Sequence, residues 1–251
     1  MNAPALFEYT LRLGDDALIN GQRLSEWCGH GPFLEEDVGV ANTALDLIGR
    51  ARLLLSYAGT LEGKGRDEDD LAFTRDERAW RNVLLVELPK GDFGFTTVRQ
   101  FLLDAFNRQL YLGLLNSKDE TLVGIAGRSA KECEYHLRHS SEWVLRLGDG
   151  TEESHCRAQR ALDDLWPYTP ELFESDAVTE QMEQQGIAPP AAKLRQAWLH
   201  TVEPLLRKVR LTIPENAWPQ TGGRQGMHSE HMGFLLAEMQ FVQRAYPGQK
   251  W

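Results

Sequence analysis

The stretch KECEYHLRH, Lys131 to His139, holds a thiol and an imidazole three residues apart, Cys133 and His136. In a helix that spacing puts both side chains on one face. Four-helix bundles that bind two metal ions carry a Glu and a His at the same spacing. Here a thiol takes the place of the carboxylate. Iron in such a site wants hard carboxylate oxygen with imidazole beside it, so the exchange bears on whether a metal is held at all. A full set needs two Glu-x-x-His pairs and two further Glu over four helices. The other helical stretches supply it only in part. LDLIGRA has Asp46, but Gly49 stands where the His is needed. FLLDAFN has Asp104 between apolar residues, and LINGQRL has no acid between Asp16 and Glu26. Half of a di-metal set is present and half is absent.

Other chemistry can be read from the same residues. A single ion on Asp46, Asp104 and His136 is one alternative, but a mononuclear iron triad uses two His and one carboxylate, the reverse ratio. Without a metal, Cys133 reads as a small buried hydrophobe. His136 then reads as an imidazolium that donates to the two aspartates, with Lys131 as further positive charge and Arg50 pairing at the surface. No Ser-His-Asp or Cys-His-Asn order stands out. The Gly-rich TGGRQG, residues 221–226, lacks the Gly-Lys-Ser/Thr end of a phosphate loop and follows no strand, so it reads as a plain loop. HSEH, residues 228–231, straddles a helix start with Ser229 as N-cap. That leaves His228 in a capping or surface role.

Helical periodicity positions these residues. YTLRLGDDALINGQRLSEWCG sets Leu11, Leu18 and Leu24 on one stripe, ended by Gly29 to Pro32. In LEEDVGVANTALDLIGRARLLLSYAGTL, Val38, Ala41, Leu45, Ile48 and Leu55 recur at helical spacing. GKGRDEDD, residues 63–70, reads as a charged loop, and TRDERAWRNVLLVEL as a short helix stopped by Pro89. DFGFTTVRQFLLDAFNRQLYLGLLN and DETLVGIAGRSAKECEYHLRHSSEWVLRLGDG are long helices. TEESHCRAQRALDDLWPYTPELF breaks at Pro167 and Pro170. PPAAKLRQAWLHTVEPLLRKVRLTIP should kink or restart at Pro204, with VRLTIP as a short extended piece. The expectation is one all-α domain over residues 1–251, with four long central helices and extra C-terminal ones. Apolar surface around Leu84, Leu85, Val86 and Trp198 would be available to partners.

Composition narrows the class. With 42% hydrophobic and 25% charged residues the chain matches globular proteins. A net charge of −10 disfavours nucleic acid as partner. Cys28, Cys133 and Cys156 are odd in number and form no CxxC pair, which suits reduced thiols in the cytoplasm. The N-terminal stretch has no basic segment followed by an apolar run, and no stretch is long enough to span a bilayer.

Four stretches carry a specific resemblance: YTLRLGDDALINGQRLSEWCGHGP, LAFTRDERAWRNVLLVELP, KECEYHLRHSSEWVLRLGDGT and TGGRQGMHSEHMGFLLAEMQFVQRAYPGQKW. Through them the chain resembles, nearly end to end, the ferritin-like subunits of the bacterial phenylacetyl-CoA epoxidase (ring-1,2-phenylacetyl-CoA monooxygenase), on the C-subunit side of that family. The resemblance implies a ferritin-like four-helix bundle in the cytoplasm, with no membrane or nucleic-acid partner. It implies a non-catalytic structural subunit that pairs with a catalytic A subunit holding the diiron centre. A small B subunit and a reductase with FAD, an iron–sulfur cluster and NADPH complete the assembly, and the chain could pair with itself when the A subunit is missing. The catalytic pattern carried onto this chain puts one Glu-x-x-His on Asp46 and Gly49, the inward Asp on Asp104, and the other Glu-x-x-His on Cys133 and His136. The first-helix Glu falls near Gly21 or Gln22. On this reading the chain itself binds no metal or cofactor, and these positions are vestigial.

Overall fold

The computed structural model describes residues 3–215 and 217–249. Met1, Asn2, Asn216, Lys250 and Trp251 lie outside the described residues, and with the last two goes the end of the C-terminal stretch TGGRQGMHSEHMGFLLAEMQFVQRAYPGQKW. The helices are α1 (Ala3–Ser25), α2 (Leu34–Glu62), α3 (Glu68–Phe73), α4 (Leu84–Glu87), α5 (Phe93–Leu114), α6 (Glu120–Gly148), α7 (Glu152–Leu165), α8 (Ala177–Gln184), α9 (Ala191–Lys208), α10 (Glu230–Met239) and α11 (Phe241–Ala245). Short 3-10 turns link several of them, and no strand occurs among the described residues. The fold is all-α, as expected. VRLTIP forms no strand, and α9 runs unbroken through Pro204 rather than restarting there.

The chain divides into two compact units, Met1–Pro89 with Thr221–Trp251, and Lys90–Gln220. In the first unit α1 and α2 form an antiparallel hairpin. A Cβ placed on Gly14 would meet Leu55, and one placed on Gly21 would meet Ile48, so numbers rise along one helix as they fall along the other. The two glycines let the backbones approach closely. Leu11, Leu18 and Leu24 are buried as expected. On α2 the buried face is Val40, Ala44, Leu47, Ala51, Leu54 and Leu55. Val38 and Leu45, read from periodicity as members of a core stripe, face outward instead and are 50% and 65% exposed.

The charged segment after α2 is not all loop, because Asp67 and Asp70 form a reciprocal capping box that starts α3. Its entry is tight: a Cβ on Gly59 would lie 2.2 Å from the Arg66 carbonyl oxygen. Backbone cannot step aside as a side-chain tip can. Gly59→Ala should therefore cost about 1–3 kcal/mol, read as a lower urea midpoint with an unchanged slope. Past α3 the chain makes one 3-10 turn, Glu77–Ala79, and then α4, rather than a continuous short helix. Leu84, Leu85 and Val86 are buried, so they are core and not the outward surface expected of them.

In the second unit α5 and α6 are likewise antiparallel. The Phe93 ring meets Trp143 edge-on at 5.0 Å, and Arg108 pairs with Glu134 further along. Each helix opens on a carboxylate cap: Asp92 accepts from the Phe95 amide at 2.8 Å and Asp119 from the Leu122 amide at 2.9 Å. Trp198 of α9 is also core. It packs on Trp166 and Phe173, and its indole N–H donates to the Leu102 carbonyl at 2.9 Å.

Candidate functional site

Asp46 and Gly49 lie on α2, in the first unit, and both are half-buried. Gly49 has no side-chain donor, and a Cβ built there meets no atom within 4 Å. Arg50 beside it is 3% exposed, so it is buried and not the surface residue expected. The second unit holds the other three positions. Asp104 on α5 is buried, and the Gln100 side-chain amide donates to its Oδ1 at 2.7 Å. Cys133 and His136 on α6 are buried too. The His136 carbonyl accepts from Ser140 Oγ at 3.0 Å, and the Tyr135 ring stands edge-on 6.2 Å from the imidazole. Lys131 is exposed. Thus Asp104, Cys133 and His136 share one unit on two packed helices.

This donor set does not fit a carboxylate-bridged pair of irons. The bridging chemistry needs Glu oxygens and two imidazoles; Gly49 offers nothing, Cys133 offers soft sulfur, and one Asp104 oxygen already accepts an amide N–H. Among the described residues no three His, Cys, Asp or Glu side chains are grouped so as to hold a metal ion. Cys28, Cys133 and Cys156 form no disulfide among the described residues.

A second polar cluster, in the first unit, escaped the reading of spacing. Asp15 on α1 is fully buried and binds Arg75 through both oxygens, one at 2.9 Å. The Arg81 amide donates to Asp15 as well, at 2.9 Å. Asp16 takes a bidentate grip from Arg224, at 3.1 and 2.7 Å, and the Val83 amide at 2.8 Å. Burial pushes the Asp16 carboxyl up from its ordinary value, against the pull of Arg224. Glu87 on α4 is fully buried, and His228 Nδ1 lies 2.7 Å from its Oε2. Asn82 donates to that same oxygen at 2.9 Å, and the Ser229 amide binds the other. The signal was present in the sequence as acids set into apolar runs, RLGDDALI and LLVELP.

This cluster gives TGGRQG and HSEH their purpose. The loop carries Arg224 to Asp16. Gly226 has a φ of 75°, and a Cβ there would sit 2.4 Å from the Arg78 carbonyl, so the position needs glycine twice over. Ser229 is the N-cap of α10 as expected. His228 is not a surface residue, because Glu87 and the Trp80 carbonyl hold both its ring nitrogens.

The family model for phenylacetic acid catabolic protein matches residues 1–251. The chain belongs to this family. Within it, the C subunit of 1,2-phenylacetyl-CoA epoxidase from Escherichia coli (strain K12) is 48% identical over 246 residues, which cover 98% of this chain and 99% of that protein. The likeness therefore takes in both helical hairpins, the Asp15 to Arg75 cluster and the C-terminal segment of this phenylacetic acid catabolic protein.

Proposed function

We propose that this chain is a C-type subunit of 1,2-phenylacetyl-CoA epoxidase and acts as a non-catalytic structural support. The observation that carries the reading is the near-complete similarity to a protein named as that subunit. The donor set supports it, since Gly49 and Cys133 stand where a diiron site needs His and Glu. On this reading residues 1–251 form one ferritin-like domain in the cytoplasm. The diiron centre and the ring chemistry belong to an A subunit, with a B subunit alongside and electrons from NADPH arriving through a reductase with FAD and an iron–sulfur cluster. No helix among the described residues is long and apolar enough to cross a membrane.

The test is reconstitution. The purified chain with reductase, NADPH and phenylacetyl-CoA should form no epoxide and cause no coupled NADPH oxidation, and adding the A subunit should start both. Iron should be far below one per chain after dialysis against a chelator. Epoxide from this chain and reductase alone, or tightly held iron at about one per chain, would make it an oxygenase in its own right and end the structural reading.

A further inference from the structure

In the second unit the end of α5 and the start of α9 enclose a cavity. Gln109, Leu112 and Gly113 lie on one face of the last turns of α5, at helical spacing. The chain after α8, from Gly186 to Pro190, stands opposite, and Leu194 and Ala197 of α9 close the third side. The space is about 590 Å³, within the range of roughly 300–1,000 Å³ for small-molecule sites.

Its walls are apolar for reasons that lie in the sequence. Ile187 and Ala188 both donate their amides to the Met182 carbonyl, at 2.8 and 3.1 Å. Pro189 and Pro190 have no amide to donate. The loop from 187 to 190 therefore offers the cavity no backbone N–H. A Cβ on Gly113 would lie 2.6 Å from Pro189, so glycine is what lets this loop sit against α5. Leu112 lines the space and is 37% exposed, a large apolar side chain open to water beside other apolar groups.

Polar groups stand at the edge. Lys193 is exposed in the first turn of α9 and makes no ion pair among the described residues. The macrodipole favours acids there and not cations, so helix stability does not account for this lysine. Lys118 lies over another wall, its Cε 3.1 Å from where a Gly186 Cβ would sit, and it has no ion pair either. The half-buried Gln109 makes no side-chain hydrogen bond among the described residues. Glu183 is the one acid in the lining, and its Oε1 already accepts the Ala191 amide at 2.8 Å, at the start of α9.

We propose that this cavity binds an amphipathic monocarboxylate, with an apolar chain or ring against Leu112, Ile187 and Pro189 and its carboxylate at Lys193 and the Gln109 amide. A cationic ligand would meet the lysines. A phosphate dianion would need more donors than one ammonium and one amide supply. The site lies wholly within the second unit and is independent of the epoxidase reading.

Octanoate is the probe. Calorimetric titration of the full chain should show saturable binding at one site, and octanoate should raise the urea midpoint. Octanamide keeps the apolar body without the charge and should bind about tenfold more weakly. Lys193→Glu, at an exposed position, should weaken octanoate about tenfold, leave octanamide unchanged and preserve the helical circular dichroism. Leu112→Glu, which puts a charge on the apolar wall, should weaken both ligands. No saturable binding of octanoate at millimolar concentration overturns the proposal. So does equal binding of octanoate and octanamide, which would mark an apolar crevice only. Octylamine binding more tightly than octanoate would make Glu183 the reading group and overturns it too. A Lys193→Glu variant that binds octanoate as the parent does, or a Leu112→Glu variant that binds both ligands as the parent does, places the ligand elsewhere and overturns it as well.

Discussion

Replacing Asp15 with alanine should lower stability by on the order of 3–5 kcal/mol, the range for removing one partner of a buried ion pair. Asp15 is fully buried and its side chain takes three donors, two from Arg75 and the Arg81 amide. Removing the carboxylate strands a guanidinium that is itself only 4% exposed. Arg75 cannot turn to water cheaply. It also donates to the Leu71 and Ala79 carbonyls and lies 4.2 Å from the centre of the Trp80 ring. Its own carbonyl accepts from Gln240 at 3.0 Å. The loss should therefore spread from α1 to α3, the 3-10 turn and the residue between α10 and α11. Asp15→Ala combined with Arg75→Ala should cost less than the sum of the single changes, by about 0.5–3 kcal/mol of coupling. Urea melts of the four proteins check this. Strict additivity would show that the pair does not act as one unit.

The contrast between α1 and α2 shows how far local pattern reaches. Leu11 and Leu24 stand out because each has an arginine beside it, Leu18 recurs on the same stripe, and all three are buried. On α2 two apolar stripes run side by side, Val40–Ala44–Leu47–Ala51–Leu54 and Val38–Ala41–Leu45, and periodicity alone cannot say which meets α1. The small residues decide, since Ala44 and Ala51 let the hairpin close. The burial of Asp104, Cys133 and His136 was legible, because each sits on a strong apolar stripe. The amide from Gln100 to Asp104 leaves no mark in metal-ligand spacing, although it is an ordinary contact one helical turn away. The charged segment before α3 hid a helix whose capping box, Asp67 with Asp70, is a sequence signal in its own right. VLLVEL reads equally well as surface or core until its Glu87 is seen to be matched. The pairs Asp15–Arg75, Asp16–Arg224 and Glu87–His228 join residues far apart in the chain, and nothing near either partner announces the other. For the same reason the Gly-rich loop read as featureless.

His228 should make the stability of the protein fall as pH rises above neutrality. Its Nδ1 is 2.7 Å from a Glu87 oxygen and its Nε2 3.3 Å from the Trp80 carbonyl. Both partners only accept, so both ring nitrogens must carry a proton, and the bound form is the imidazolium. Desolvation pushes the His228 pKa down, but the Glu87 hydrogen bond and charge, the Trp80 carbonyl and Glu77 outweigh it, and the net movement is up from 6.5. A pKa raised on folding adds stability that is fully present below the unfolded value of about 6.5 and is lost as pH climbs through the folded value. His228→Ala should cost about 1.5–3 kcal/mol near pH 6, the worth of a hydrogen bond to a charged group. The cost is not larger because Asn82 and the Ser229 amide still hold Glu87. The gap between parent and variant should close as the pH is raised through the folded-state value and the parent loses its proton. Because His228 and Ser229 join the C-terminal segment to α4, the same rise in pH should speed proteolysis at the loop before α10 in the parent and change it little in the variant. Urea midpoints measured across that range provide the check. A gap that stays constant with pH would mean that His228 is held by packing and not by its charge.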